Sequence, residues 1–311
     1  MSAFLSEIAA AISRASGASF AIQRTQAVHG GDISQAFTLS DDSRSFFVKI
    51  QPAPRPPAGR VSGGVLPASA AIRLEWFEAE AAGLAELAHA NAVRVPQVVC
   101  HGVADGQAYL VLEQLSLQSH GDAAQLGRLL ARQHRISAPQ FGGPRDNWIG
   151  ATPQPNLWQE NWLTFWRDQR LGFQLRLAAE HGYGGALQAD GEALLTQLDA
   201  LFDGYVPASS LLHGDLWGGN HGYLPDGSPV IFDPAVYFGD RECDLAMTEL
   251  FGGFAPDFYA AYREAWPLDA GYAVRKTLYN LYHVLNHANL FGGSYVAQAG
   301  RMVAQLRAHI R

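Results

Sequence analysis

The sequence predicts an α+β protein of two lobes: a small antiparallel-sheet lobe with one main helix over residues 1–115, and a larger, mostly helical lobe over residues 116–311. Three observations predict it. Short apolar-rich runs separated by turn residues crowd the first 113 positions, as strands do. One long helical repeat, Leu74, Phe77, Ala81, Leu84 and Leu87, interrupts them at three-to-four spacing. Beyond Glu113 the strand-like runs give way to helical segments.

Residues 2–14 place Phe4, Ile8, Ala9 and Ile12 at helical spacing. Strands follow at 20–28, 35–39 and 45–50, the first two flanking His29-Gly30-Gly31-Asp32-Ile33-Ser34 and the last two joined through Asp41-Asp42. The stretch at about 52–70, too rich in Pro and Gly for regular structure, reads as a mobile surface loop. A helix over 72–90 leads to a strand pair, 98–101 and 109–113, joined through Asp105-Gly106. The second lobe then reads as helices at 122–135, in the aromatic-rich segment 158–170, at 191–202 and at 272–291.

Composition excludes several classes of function. Of 311 residues, 48% are hydrophobic and 16% charged, and no apolar run reaches the roughly 18 residues of a membrane span. The N-terminal residues lack the basic segment and apolar core of a signal peptide, and two cysteines, Cys100 and Cys243, are too few for a disulfide framework, so the expected location is cytoplasmic. Net charge is −7, from 22 Lys+Arg against 29 Asp+Glu, with no basic cluster to follow a phosphate backbone, which argues against a nucleic-acid partner.

The chemistry concentrates in Leu211-Leu212-His213-Gly214-Asp215-Leu216-Trp217-Gly218-Gly219-Asn220 and Val230-Ile231-Phe232-Asp233-Pro234. An isolated His-Gly-Asp would be a turn or a helix N-cap. An Asn five positions after the Asp, and a second Asp after a short hairpin, instead match the catalytic loop and metal loop of protein kinases. Asp215 is the candidate for accepting or orienting the proton of an attacking hydroxyl. Asn220 and Asp233 are hard oxygen donors of the kind Mg2+ prefers. His213 reads as a brace for the loop.

Lys49 stands one strand beyond the Gly-rich segment, with apolar neighbours on both faces of its strand. A lysine so placed seeks an anion, here the ATP phosphates, with Glu80 as its expected partner and Glu75 and Glu78 as rivals. Gly30, Gly31 and Ser34 offer unobstructed backbone amides for a phosphate cover, although the segment is neither GxGxxG nor GxxxxGK[ST]. Glu113 and Leu115 fall where an interlobe hinge would present backbone groups to adenine. His283 and His287 share a helical face without a third ligand at suitable spacing, so packing and hydrogen bonding near the cleft are their expected roles rather than metal binding. Of the tryptophans at 148, 158, 162, 166 and 217, only Trp217, two residues after Asp215, is expected at a substrate.

With these residues in place, the chain resembles the fructosamine (ketosamine) kinase family, a branch of the protein-kinase-like fold beside aminoglycoside phosphotransferases and choline kinases. The resemblance rests on Leu216-Trp217-Gly218-Gly219 inside the catalytic loop; on Phe141-Gly142, Asp146-Asn147 and Ile149-Gly150; on Gln154-Pro155-Asn156-Leu157-Trp158 with Trp162 and Phe165-Trp166; and on Leu281 to Gly292. It implies ATP- and Mg2+-dependent phosphorylation of a sugar hydroxyl, at the third carbon, on a fructosamine or ribulosamine carried by an amino acid or protein. The adduct would thereby become unstable and leave. It also implies substrate contacts from Trp217 and His287, and a monomer is favoured. An aminoglycoside or choline-type phosphotransferase is the alternative, kept open by Asp240, Glu242 and Asp244 as a possible acidic cluster for a polycation. A silent pseudokinase is disfavoured because Lys49, Asp215, Asn220 and Asp233 are all present.

Overall fold

In a computed structural model, residues 3–28, 35–51 and 70–310 are described. The segment with Gly30, Gly31 and Ser34, and the Pro/Gly-rich stretch at 52–69, lie outside them. Contacts divide the described chain into two units. The first takes the described residues before position 60, those from 70 to Gly121, and Gly222–Phe232; the second takes Asp122–His221 and Asp233 onward.

In the first unit, helix α1 (Ala3–Ser16) precedes strands β1 (Arg24–Val28), β2 (Gln35–Ser40) and β3 (Ser45–Gln51). Helix α2 (Ala70–Ala90) and strands β4 (Val98–Ala104) and β5 (Gln107–Glu113) complete it. The strands form one antiparallel sheet in the order β1-β2-β3-β5-β4. Side-chain alternation explains its two faces. Val48 and Ile50 of β3, with Phe37 and Leu39 of β2, close a core against Phe4, Ile8 and Ile12 of α1. The residue between them in sequence, Lys49, points the other way. The β4–β5 turn needs left-handed backbone at two successive residues, and Asp105 and Gly106 supply it with φ of 45° and 72°.

The second unit opens with α3 (Ala123–His134), capped by Asp122, whose carboxylate accepts the Gln125 amide at 2.7 Å. A small hairpin, β6 (Asn147–Ile149) and β7 (Thr152–Gln154), leads into α4 (Trp162–Trp166), one π-helical turn at Arg167–Leu171, and α5 (Gly172–Glu180). Next come α6 (Ala186–Leu195) and a 3₁₀ turn at Leu198–Leu201. The sequence reading merged these into one helix at 191–202. The chain instead enters the helix after Gly185, at φ 68°, and breaks at Thr196-Gln197.

Strand β8 (Ser210–Leu212) delivers the catalytic loop. The hairpin of β9 (His221–Tyr223) and β10 (Pro229–Ile231) groups, from Gly222 on, with the first unit, where the Ile231 amide donates to the Arg94 carbonyl at 3.0 Å. The chain returns with β11 (Tyr237–Gly239), antiparallel to β8, followed by α7 (Glu242–Leu250), α8 (Pro256–Ala265), α9 (Tyr272–Phe291) and α10 (Ser294–Ile310). Trp162, Phe165 and Trp166 pack with Tyr279 and Tyr282 of α9 at the centre of this unit's core.

Close approach of α3 and α8 rests on Gly127. A Cβ there would fall inside the contact radius of the Phe258 carbonyl oxygen. Helix propensity alone would favour alanine by about 1 kcal/mol. Gly127→Ala is nonetheless expected to destabilise the protein by about 1–3 kcal/mol, the usual cost of overpacking, seen as a fall in melting temperature.

Candidate active site

Lys49 is 9% exposed, and its Nζ donates to both carboxylate oxygens of Glu80, each at 2.8 Å. Of the three candidate glutamates on α2, the structure therefore pairs Glu80 with the lysine. The bidentate geometry fixes the ammonium and offsets part of its desolvation cost. At the end of β5 the Glu113 carboxylate is held in a partly exposed ion pair. It accepts from the Arg94 guanidinium at 2.6 and 2.7 Å and from the Gln97 amide, while its own amide donates to the Gln97 carbonyl at 2.8 Å. Leu115, half-buried two residues on, accepts at its carbonyl from the Gln114 side chain.

The second unit assembles Asp215, Asn220 and Asp233. Its anchor is Asp244, on α7, which is 1% exposed. One carboxylate oxygen of Asp244 accepts the His213 amide at 2.7 Å, and the other accepts the Gly214 amide at 2.8 Å. The His134 ring closes the cluster at 3.1 Å and is itself bonded to the Tyr262 hydroxyl at 2.8 Å. Burial acts to raise the pKa of Asp244, but the His134 hydrogen bond, the neighbouring His134 and His213 rings and the Gly214 amide hold the carboxyl below its ordinary value. Sequence reasoning missed this role. An acid 29 residues downstream of Asp215 carries no local signal that it will accept two loop amides.

Gly214 adopts φ 84°, and a Cβ on it would collide with the Ala235 carbonyl. Glycine is therefore required where the catalytic loop passes under the metal loop. The Ala235 amide in turn donates to the His213 carbonyl at 2.9 Å. His213, fully buried, accepts the Asp215 amide at Nδ1, 3.2 Å away, as a brace should. The Asn220 Nδ2 donates to the Asp215 carbonyl at 2.8 Å and its carboxylate at 3.2 Å, and reaches the Asp233 carbonyl at 3.5 Å. That orientation turns the Asn220 Oδ1 away from Asp215. Asp233 takes φ 57°, a left-handed conformation rare outside glycine and held here by its neighbours.

These donors fit a magnesium site. Among the described residues no group of three or more His, Cys, Asp or Glu is assembled for a metal. Mg2+ takes one or two protein oxygens and fills its sphere with water and phosphate. One carboxylate at Asp233 and one carboxamide oxygen at Asn220 meet that need.

Beside the loop, Trp217 is 39% exposed and folds over Gly219, where a Cβ would overlap the indole. Its ring meets Phe251 edge-on at 6.3 Å; Phe251 contacts His287 at 5.0 Å, and His287 contacts Tyr295 at 5.1 Å and Phe291 at 5.6 Å. The His287 Nδ1 donates to the His283 carbonyl at 2.8 Å. His283 is buried and its ring is held neutral, its pKa pushed down to about 3 by burial and then by His287. Trp217 and His287 thus belong to one aromatic wall, of which Phe251 and Tyr295 were not foreseen.

The possible acidic cluster does not exist as a surface. Asp240, Glu242 and Asp244 are all at most 1% exposed. Asp240 accepts from the hydroxyls of Tyr279 at 2.5 Å and Tyr205 at 3.0 Å, and Glu242 takes the Arg275 guanidinium at 2.8 and 3.0 Å. No helix among the described residues is long and apolar enough to cross a membrane.

The fold is that of the protein-kinase-like phosphotransferases. A thermostable aminoglycoside phosphotransferase APH(4)-Ia, solved with ADP and hygromycin B, superposes with a TM-score of 0.56 over 98% of each chain at 17% identity, a likeness of fold alone. Within that class, the fructosamine kinase profile matches residues 4–61 and 64–309, and the chain belongs to the fructosamine kinase family. A "probable ketoamine kinase" of Synechocystis sp. is 42% identical over 301 residues, covering 96% of this chain and 95% of that one. The chloroplastic protein-ribulosamine 3-kinase of Arabidopsis thaliana is 38% identical over 282 residues, 89% and 81% of the two chains. A crystal structure from Haemophilus somnus, described provisionally as a fructosamine-3-kinase, gives a TM-score of 0.85 at 29% identity over 98% of each chain.

Replacing Asp244 by Asn presents an amide where two backbone donors converge. Asp244→Asn should lose about 1–3 kcal/mol of stability, the cost of an unsatisfied buried donor, measured by denaturant unfolding.

Proposed function

We propose that the protein is an ATP-dependent ketosamine kinase that phosphorylates the third-carbon hydroxyl of fructosamines or ribulosamines, free or protein-bound. The observation that carries the reading is the Asp215–Asn220–Asp233 constellation, held by Asp244 and flanked by the Trp217 wall, in a chain of this family.

In the reaction Asp215 orients the substrate hydroxyl and accepts its proton as the oxygen attacks the γ-phosphorus. The new C–O–P linkage forms while the bond to the β-phosphate oxygen breaks, and ADP leaves. Asn220 and Asp233 would hold Mg2+, which supplies neutralisation of phosphate charge. Lys49, fixed by Glu80, contacts the α/β-phosphates, covered by the amides of Gly30, Gly31 and Ser34. Glu113 and Leu115 present backbone groups to adenine; because the Glu113 amide is committed to Gln97, residue 113 contributes its carbonyl. These are the roles of a nucleotide-binding lobe at 1–115 and a catalytic, substrate-binding lobe at 116–311. A sugar–amine adduct, polar at its edges and apolar on its C–H faces, suits the wall of Trp217 and His287. A polycationic antibiotic would want the acids that this fold buries.

ADP release measured on fructoselysine, ribuloselysine, kanamycin and choline tests the assignment, and turnover confined to kanamycin or choline would overturn it. Asp215→Asn should lower turnover at least about a hundredfold; full activity would remove Asp215 from its role. Asp233→Ala should abolish Mg2+-dependent ATP turnover, and persistence of that turnover alongside a lowered melting temperature would refute the metal assignment. Gly219→Ala, which displaces the indole, should raise KM for the ketosamine while leaving KM for ATP unchanged, as steady-state kinetics in both substrates would report.

A further inference from the structure

Resting on that reading, we infer that Arg170, Asn156, Asn147, Gln154 and Tyr282 form a buried, one-directional hydrogen-bond relay that positions the Asp233 metal loop from behind.

Arg170 is fully buried in the π-helical turn and lies over the rings of Tyr237 at 4.1 Å, Phe165 at 4.6 Å and Tyr282 at 5.8 Å. No carboxylate among the described residues bonds to it. Its guanidinium donates to the Pro155 carbonyl at 2.6 Å, the Gln169 carbonyl at 3.0 Å and the Asn156 Oδ1 at 2.7 Å, and its Nε finds no acceptor there. A buried cation without a counter-ion is expensive, and stability alone would favour an apolar residue. Its chemistry does offer one thing an apolar residue lacks: it can only donate.

That property sets every amide that follows. Because Arg170 claims the Asn156 oxygen, the Asn156 Nδ2 must face the other way, toward the Arg145 carbonyl at 3.1 Å and the Asn147 Oδ1 at 3.0 Å. The Asn147 oxygen also accepts from the Gln154 Nε2 at 2.8 Å, so the Asn147 Nδ2 is turned to the Val236 carbonyl at 2.8 Å. From the other end Tyr282 donates its hydroxyl to the Gln154 Oε1 at 2.7 Å, which directs the Gln154 Nε2 to the Ala235 carbonyl at 3.2 Å. The relay thus delivers two donors onto consecutive carbonyls, two and three residues after Asp233. Those carbonyls directly follow the Ala235 amide that bonds His213, and they lie just beyond the strained residue 233. None of these side chains is a ligand; they are positioning residues whose effect reaches the metal through the backbone.

The test uses full-length protein and Mn2+ titrated in the presence of ATP, read by electron paramagnetic resonance of free Mn2+, beside steady-state kinetics. Asn147→Asp, which sets an acceptor against the Val236 carbonyl, should raise the half-saturating Mn2+ about tenfold, the lower range for a group behind a metal ligand. Tyr282→Phe, which removes only a hydroxyl and should fold, is expected to raise it about threefold, a fraction of the same effect. In both, KM for fructoselysine should stay at the parent value. Tyr205→Phe, which breaks a buried hydrogen bond to Asp240 elsewhere in the unit, serves as control and should lower the melting temperature without moving the Mn2+ curve. If Asn147→Asp does not fold, Tyr282→Phe decides. Parent-like Mn2+ binding in a variant with a lowered melting temperature overturns the relay and leaves it a packing feature. If the parent protein binds Mn2+ with ATP yet leaves every ketosamine unphosphorylated, the substrate reading fails and the relay is judged on the Mn2+ curves alone.

Discussion

Most of the second unit's architecture follows from one requirement: the amides of His213 and Gly214 are buried and must find acceptors. A catalytic loop cannot satisfy itself, because it has left β8 and has not entered a helix. Asp244 answers with both oxygens at 2.7 and 2.8 Å. A carboxylate is the only side chain that accepts twice along parallel directions without also donating. Burying it creates a second requirement, met by His134, whose other nitrogen is held by Tyr262. Thus α7, α3 and α8 are bound to the loop by polar contacts as well as by packing, and the close α3–α8 approach allowed by Gly127 brings Tyr262 within reach.

The same logic recurs with opposite sign behind the metal loop. There the orphaned groups are carbonyls, those of Ala235 and Val236, and the answer is a set of donors whose direction is fixed by a cation at one end and a phenol at the other. Acceptors hold the catalytic loop and donors hold the metal loop. The two loops are then tied to each other by the His213 carbonyl and the Ala235 amide. A neutral amide in such a set is specific only because its neighbours cannot reverse roles.

Local chemistry was legible in the sequence, and long-range satisfaction was not. The repeat of Leu74, Phe77, Ala81, Leu84 and Leu87 located α2, and the helical stretches read at 122–135 and 272–291 match α3 and α9. The sequence reading merged α6 with the following 3₁₀ turn, since the breaks at Gly185 and Thr196 depend on φ and on packing rather than on pattern. Motif spacing brought Asp215, Asn220 and Asp233 together, and strand order singled out Lys49; its choice of Glu80 over Glu75 and Glu78 needed the helix phase relative to the sheet. Asp244, Asn147 and Arg170 escaped because their partners lie 30, 89 and 14 residues away in sequence. Asn147, with Asn156 beside it in the same network, stood inside the stretches that carried the family resemblance. Their identity was visible while their purpose was not.

On the proposed function, substrate choice would depend on the burial of acids as much as on the display of aromatics. The chain carries a net charge of −7, and an acidic segment such as Asp240 to Asp244 could have faced a cationic ligand. The fold spends those carboxylates inside, on Tyr205, Tyr279, Arg275 and the loop amides, and burial pushes Glu242 up to about 7. What faces outward beside Asp215 is the indole of Trp217, kept in place by the absence of a Cβ at Gly219. An aromatic face binds the C–H surface of a sugar and tolerates one amine, but it gives no multiple charge anchors. On the proposed function, preference for a singly charged sugar adduct over a polycation would follow from the same segment that fixes the loop, because Asp244 gives both oxygens to the His213 and Gly214 amides while Asp240 and Glu242 are taken by Tyr205, Tyr279 and Arg275.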